Sequence, residues 1–186
     1  MVRAAFLDRD GVIIRKAPEG SYVTRWSEVE FLPDVANAMK RIREAGFLLI
    51  VASNQRAVAK GLISKRQLES LHLRMWQELF PGCRGPDGVY YCPHDKNPPC
   101  DCRKPQPGML LAAAQDRGID LAASWMVGDS ESDVQAGQRA GCRTIRICSP
   151  GDHSSTAADK AVTSLAKAAN AIIASATGRR NLTRPQ

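Results

Sequence analysis

Residues 92–105 read CPHDKNPPCDCRKP and bring three cysteines and a histidine together just ahead of an arginine and a lysine. Cys92, His94, Cys100 and Cys102 form a Cys-x-His…Cys-x-Cys set, the Cys₃His complement of a tetrahedral zinc site. With all four positions filled by protein, the metal keeps no open site for substrate and its role is structural. Gaps of one residue at both ends are not those of a zinc finger or ribbon, so a DNA-reading module fits poorly. Zinc would pin a loop too polar and proline-rich to pack by itself, and would hold Arg103 and Lys104 beside an anion. Cys83, Cys142 and Cys148 stand apart and are expected to be packed or free thiols, and His72 and His153 are expected to be surface residues.

A second constellation could use those cations. Asp8, Asp10, Ser53 and Asp129 each follow or close a short apolar run, in FLDRDG, VASN and MVGD. A phosphate monoester repels an attacking carboxylate, so a hard cation such as Mg²⁺, held by Asp8 and Asp129, must neutralise both first. A carboxylate nucleophile splits hydrolysis into two easier steps, and a second carboxylate can protonate the leaving oxygen and then activate water. Asp10, two residues beyond Asp8, suits that second role, and its carbonyl can face the metal. Ser53 and Lys104 would hold the phosphoryl oxygens. Asp133 fits either an N-terminal helix position after Ser130 or a water-mediated metal contact.

Positioning these groups requires a particular frame. Short apolar runs alternate with helical patterns, the signature of a parallel sheet covered by helices, and ligands of such sheets bind at the carboxyl ends of the strands. Strands are expected over residues 4–8, 47–53, 88–92, 124–129 and 143–148. Helices are expected from Asp34 to Gly46, after the Ser64–Gln67 capping box, over 107–118, up to Ala140, and over 161–174. The 186 residues fit a single domain, placed at 1–176, followed by a basic tail at 177–186. The segment 149–155 is linker-like.

Net charge is +7, yet the basic residues are dispersed and aromatics make up only 5%, so no stacking groove for nucleic acid is expected. No apolar run long enough to cross a membrane and no signal-peptide pattern is seen, which reads as cytoplasmic, and no helix shows a surplus apolar face, which reads as monomeric.

The order FLDRDG, ASN, RKP, VGD resembles the four motifs of the haloacid dehalogenase (HAD) superfamily of phosphohydrolases, over nearly the whole chain to about residue 150. The resemblance implies a three-layer Rossmann-like α/β fold with Asp8 as nucleophile and Asp10 as acid and base. Residues 12–46 and 55–91 leave no room for an inserted cap, so the chain looks capless. CPH…CDCRKPQPGM with FLDRDG and SNQ is similar to the D-glycero-D-manno-heptose-1,7-bisphosphate 7-phosphatases. It is slightly less similar to the histidinol-phosphate phosphatases, and GSYV at 20–23 favours the heptose family. That resemblance implies a small phosphorylated sugar as substrate, recognition by Arg103, contact with it from Ser53, Asn54, Gln55 and Arg56, and closure by Glu19, Gly20, Ser21 and Tyr22. Ile14, Arg56, Ala57 and Lys60 depart from the family pattern near the site. A nucleic-acid 3′-phosphatase would use the same aspartates with a basic strand-binding surface.

Overall fold

The computed structural model describes residues 1–149, 151 and 155–180. Six parallel strands form one sheet: β1 (Arg3–Leu7), β2 (Phe47–Asn54), β3 (Gly88–Cys92), β4 (Trp125–Gly128), β5 (Arg143–Ile147) and β6 (Lys160–Val162), in the order β3-β2-β1-β4-β5-β6. Alternate residues of β1 point to opposite faces, as strand geometry demands. Ala5 and Leu7 join Leu49, Val51 and Val127 in a core covered by helices α1 (Val35–Glu44), α3 (Lys65–Leu79) and α6 (Leu165–Arg180). Ala4 and Phe6 join Ile50 and Met126 on the other face, under α4 (Gly108–Arg117) and the end of α5 (Glu131–Ala140). The result is the three-layer α/β arrangement that the resemblance implies. Between β1 and β2 stand only loop, a 3₁₀ turn (Trp26–Glu28) and α1, and between β2 and β3 only α2 (Arg56–Ala59), α3 and connecting loop. No inserted cap domain interrupts the described residues. Among them, no helix is long and apolar enough to cross a membrane.

Helix boundaries follow local chemistry. Ser64 accepts from the Gln67 amide while the Gln67 side chain returns to the Ser64 N–H, opening α3. α4 and α5 stop at Gly118 and Gly141, whose φ of 62° and 83° place them in the left-handed region that glycine tolerates.

Three expectations are corrected. Residues 160–162 form strand β6 paired to β5, and the last helix starts at Leu165, where the Lys167 amide donates to the Ser164 hydroxyl at 3.3 Å. A three-residue strand is too short for its period to register. The helix then continues to Arg180, beyond the end expected at 174, while residues 181–186 and His153 lie outside the described residues. His72 is not a surface residue: it is buried, one turn from Leu68 on the stripe that α3 presents to the core.

Register explains the convergence. Leu7 pairs with both Val51 and Val127, and Asn54 pairs with Cys92. Asp8, Ser53, Cys92 and Asp129 therefore all reach the same rim, with Asp8 and Asp129 at the point where the chain turns from one half of the sheet to the other.

Candidate active site

Lys104 sits at the centre of the rim and is almost wholly buried. Its ammonium meets Asp8 Oδ1 at 3.0 Å and Asp133 Oδ1 at 2.5 Å, and donates to the Ala52 carbonyl at 2.8 Å. Burial favours the neutral amine, but the two carboxylates outweigh it and hold Lys104 charged well above the ordinary lysine range. Asn54 fixes the backbone of this lysine from both sides. Its amide donates to the Lys104 carbonyl at 3.1 Å and accepts from the Lys104 N–H at 3.0 Å. The side chain expected to touch substrate is thus engaged in placing the lysine.

Asp8, Asp129 and Asp133 present oxygens that all lie within 4.8 Å of one another. Burial pushes the Asp8 carboxyl up to about 7; Lys104 opposes this, and Asp133 and Asp10 add to it. Asp133 takes the helix-capping position, its Oδ2 accepting from the Ser130 N–H at 3.1 Å, while its Oδ1 faces Lys104. A Cβ at Gly128 would overlap the Asp133 side chain, and one at Gly11 would stand 2.5 Å from Asp129 Oδ2, so glycine at both positions lets the carboxylates close in. Lys16, which the sequence did not point to, pairs with Asp129 Oδ2 at 2.7 Å. Hard oxygen donors in this number, packed tightly enough to repel one another, suit a magnesium ion.

Asp10 lies beside this cluster. The Arg9 guanidinium grips both of its oxygens at 3.0 Å, and Gln55 Nε2 donates to Asp10 Oδ2 at 3.1 Å and to Ser53 Oγ at 2.9 Å. A cavity of about 280 Å³ opens over Asp10, walled by Glu19, Gly20, Ser21 and Tyr22 with Asn54 and Gln55. Arg103 and Lys104 line a second cavity, of about 430 Å³, on the other side of Asn54. Arg56 makes a 2.6 Å ion pair with Asp95, and Lys60 lies 5.6 Å above the Tyr22 ring.

The ring nitrogen of His94 and the sulfurs of Cys92, Cys100 and Cys102 form a tight cluster. Neighbouring donor atoms are 3.3 to 3.6 Å apart, as for His94–Cys102 and Cys92–Cys100. A regular tetrahedron with zinc bonds of about 2.0–2.3 Å has edges of roughly 3.3–3.8 Å, so this donor set fits the ion with little adjustment. Arg103 donates to the His94 carbonyl at 3.3 Å, which ties the cluster to the cation beside it.

His72 carries a pH consequence. Burial, with the Arg9 guanidinium 3.3 Å away and Asp10 opposing, pushes its imidazole down to about 3. The unfolded chain takes up this proton near pH 6.5 and the folded chain does not until about pH 3. The stability due to the neutral ring is therefore complete above about pH 6.5 and is lost as pH falls from there toward 3, by about 2 kcal/mol at pH 5. Denaturant titrations from pH 8 to 5 should show this slope, and a His72→Gln variant should lack it; equal slopes in both would exclude His72 as its source.

Comparison with known proteins places the chain in a family. A family model described as HAD-hydrolase-like matches residues 101–175. The D-glycero-beta-D-manno-heptose-1,7-bisphosphate 7-phosphatase of Escherichia coli (strain K12) is 39% identical over 182 residues, covering 92% of this chain and 94% of that protein. The protein of the same name from Pseudomonas aeruginosa is 37% identical over 142 residues, covering 76% and 78%. The crystal structure of the D,D-heptose 1,7-bisphosphate phosphatase from B. bronchiseptica, complexed with magnesium and phosphate, superposes with a TM-score of 0.83 at 29% identity, covering 92% of this chain and 98% of that one. With a relative of 39% identity aligned over nearly its whole length, the chain belongs to the heptose-1,7-bisphosphate 7-phosphatase family of HAD-like hydrolases.

Proposed function

We propose that this chain, a phosphoric monoester hydrolase by family, removes the 7-phosphate of D-glycero-D-manno-heptose 1,7-bisphosphate, with the β anomer named in its bacterial relatives as substrate. The observation that carries the reading is the position of Asp8: its carboxylate is 3.0 Å from the buried Lys104 ammonium, while the carboxylate of Asp10, two residues on, lies under an open cavity. Asp8 attacks phosphorus in line and forms an aspartyl phosphate. Asp10 gives its proton to the leaving heptose oxygen, then takes one from the water that hydrolyses the intermediate. Lys104 and Ser53 hold the phosphoryl oxygens as charge spreads onto them. A magnesium ion held by Asp8, the Asp10 carbonyl and Asp129 would supply the charge that lets an anionic nucleophile meet an anionic substrate. Glu19, Ser21 and Tyr22 close over the sugar, and Arg103 meets it from the second cavity.

Zinc at Cys92, His94, Cys100 and Cys102 holds the segment that carries Arg103 and Lys104. Thiolates of this kind persist in a reducing compartment, which supports a cytoplasmic location. Cys100→Ser should lower zinc affinity by more than about 100-fold, the upper range for the loss of a mere outer contact, and should raise KM by loosening Arg103. Metal content after dialysis reads this directly, and full zinc occupancy in the variant would refute the ligand set.

The function itself is tested by phosphate release, with Mg²⁺ and with EDTA, from both heptose bisphosphate anomers, histidinol phosphate and a 3′-phosphorylated oligonucleotide. Magnesium-dependent turnover should favour the β anomer. Turnover confined to histidinol phosphate or to the oligonucleotide would overturn the substrate assignment while keeping the phosphatase chemistry.

A further inference from the structure

The buried imidazole on α3 has no part in the chemistry above, yet it makes a polar contact that leads straight to it. We propose that His72 is a positioning residue for the acid–base step: as a neutral acceptor it fixes the Arg9 guanidinium, and through it the Asp10 carboxylate. The inference rests on the assignment of Asp10 as acid and base.

Arg9 is 2% exposed and ranks among the largest fully buried side chains of the protein. A guanidinium so placed must find acceptors for its N–H groups or carry the penalty of an unpaired buried charge. Two of its nitrogens, Nε and Nη2, meet Asp10 Oδ2 and Oδ1 at 3.0 Å each, and the third, Nη1, stands 3.3 Å from His72 Nε2. Arginine can only donate, so the imidazole nitrogen is the acceptor and the ring is neutral. Its depressed affinity for protons agrees, since a charged ring would set two buried cations side by side.

A neutral partner matters. A carboxylate at position 72 would also satisfy Nη1, but it would share the arginine's charge with Asp10 and pull the fork toward itself. The imidazole satisfies the third nitrogen and leaves the charge facing Asp10. The ring is itself fixed, tilted against Trp76 at 6.3 Å and edge-on to Tyr91 at 6.1 Å between centroids, and Tyr91 is anchored by its hydroxyl to Glu69 at 2.8 Å. A helix packed over the core thus sets the direction of a carboxylate in the site.

The grip also leaves a defined opening. A carboxylate offers about four lone-pair positions. Arg9 occupies one on each oxygen of Asp10, and Gln55 takes a second on Oδ2. The remaining position is on Oδ1, where the proton for the leaving oxygen, and later that of the attacking water, can be exchanged. Loss of the Nη1 contact lets the fork rotate and misdirects that position, and misplacement of about 1 Å is enough for a roughly 100-fold loss.

The test is a double-mutant cycle on the full-length, metal-loaded enzyme with the heptose bisphosphate, followed by single-turnover kinetics. His72→Leu should lower kcat by about 10–100-fold with KM within about two-fold, and His72→Gln, whose amide oxygen can accept from Arg9, should recover most of the rate. In an Asp10→Asn background, His72→Leu should cost nothing further. An equal loss from His72→Leu in both backgrounds would mark a general effect on the fold and overturn the inference while leaving Asp10 in its role. A wild-type rate for His72→Leu, or for His72→Phe if the leucine variant does not fold, together with a large loss for Asp10→Asn, would do the same. If Asp10→Asn itself is fully active, the acid–base assignment falls and the positioning role falls with it.

Discussion

Asp8→Asn is expected to leave hydrolysis at least about 10⁴-fold slower, because an amide oxygen cannot form the acyl phosphate and no neighbouring carboxylate is placed to replace it. Asp133 is committed to Lys104 and to the opening of α5, and Asp10 is held by Arg9 and Gln55. The variant should nevertheless fold well, which separates the chemistry from stability. In the metal-free protein the folded Asp8 carboxyl is pushed up to about 7 against an ordinary 3.8, so its ionisation works against folding from about pH 4 and fully above about pH 7. Replacing it with a neutral amide removes that opposition. Metal-free Asp8→Asn should therefore melt no lower than the wild type at pH 8, alongside its loss of phosphate release. A variant that retained more than about a hundredth of the wild-type rate would remove Asp8 from the nucleophile's role.

Lys104→Met should damage both stability and rate. The ammonium is buried between Asp8 and Asp133, at 3.0 and 2.5 Å, and removing a partner from a buried ion pair costs about 3–5 kcal/mol because the remaining charges stay desolvated. Loss of a fixed positive group facing the transferred phosphoryl should lower kcat by a further factor of about 10²–10³. Added magnesium should recover part of the stability, since a cation among the three carboxylates supplies charge that the lysine no longer does, but not the rate. Denaturant midpoints with and without Mg²⁺, paired with kcat, read both effects. A midpoint shift below about 1 kcal/mol would show that the carboxylates do not depend on this lysine.

Much of this site was legible before the fold was known, because its groups stand where a parallel strand must end. Asp8, Ser53 and Asp129 each close an apolar run, and the frame brings such ends together whatever the intervening helices do. The cysteine cluster was legible for the opposite reason, as its four ligands lie within eleven residues and need no distant partner. What escaped depends on pairings across the chain. Lys16 reaches Asp129 over 113 positions and His72 reaches Arg9 over 63, and neither residue carries a local sign of its partner. His72 also shows how a helical stripe misleads when one of its members is polar: the ring fits the core because Arg9 supplies a donor there. Asn54 was legible as a rim residue but not as the clamp on the Lys104 backbone. The departures near the site also have physical accounts. Ile14 is fully buried and belongs to the core, while Arg56 answers to Asp95 and Lys60 to Tyr22.

The sulfur cluster and the phosphate-facing ammonium share one short segment, Cys102 to Lys104, clamped at its far end by Asn54. Two ligands that both require the same segment to be ordered assist each other, and the assistance is mutual by thermodynamic necessity. An anion resting on Lys104 would therefore raise the affinity of Cys102 and its fellow ligands for a metal ion by the same factor as that ion would raise the affinity for the anion.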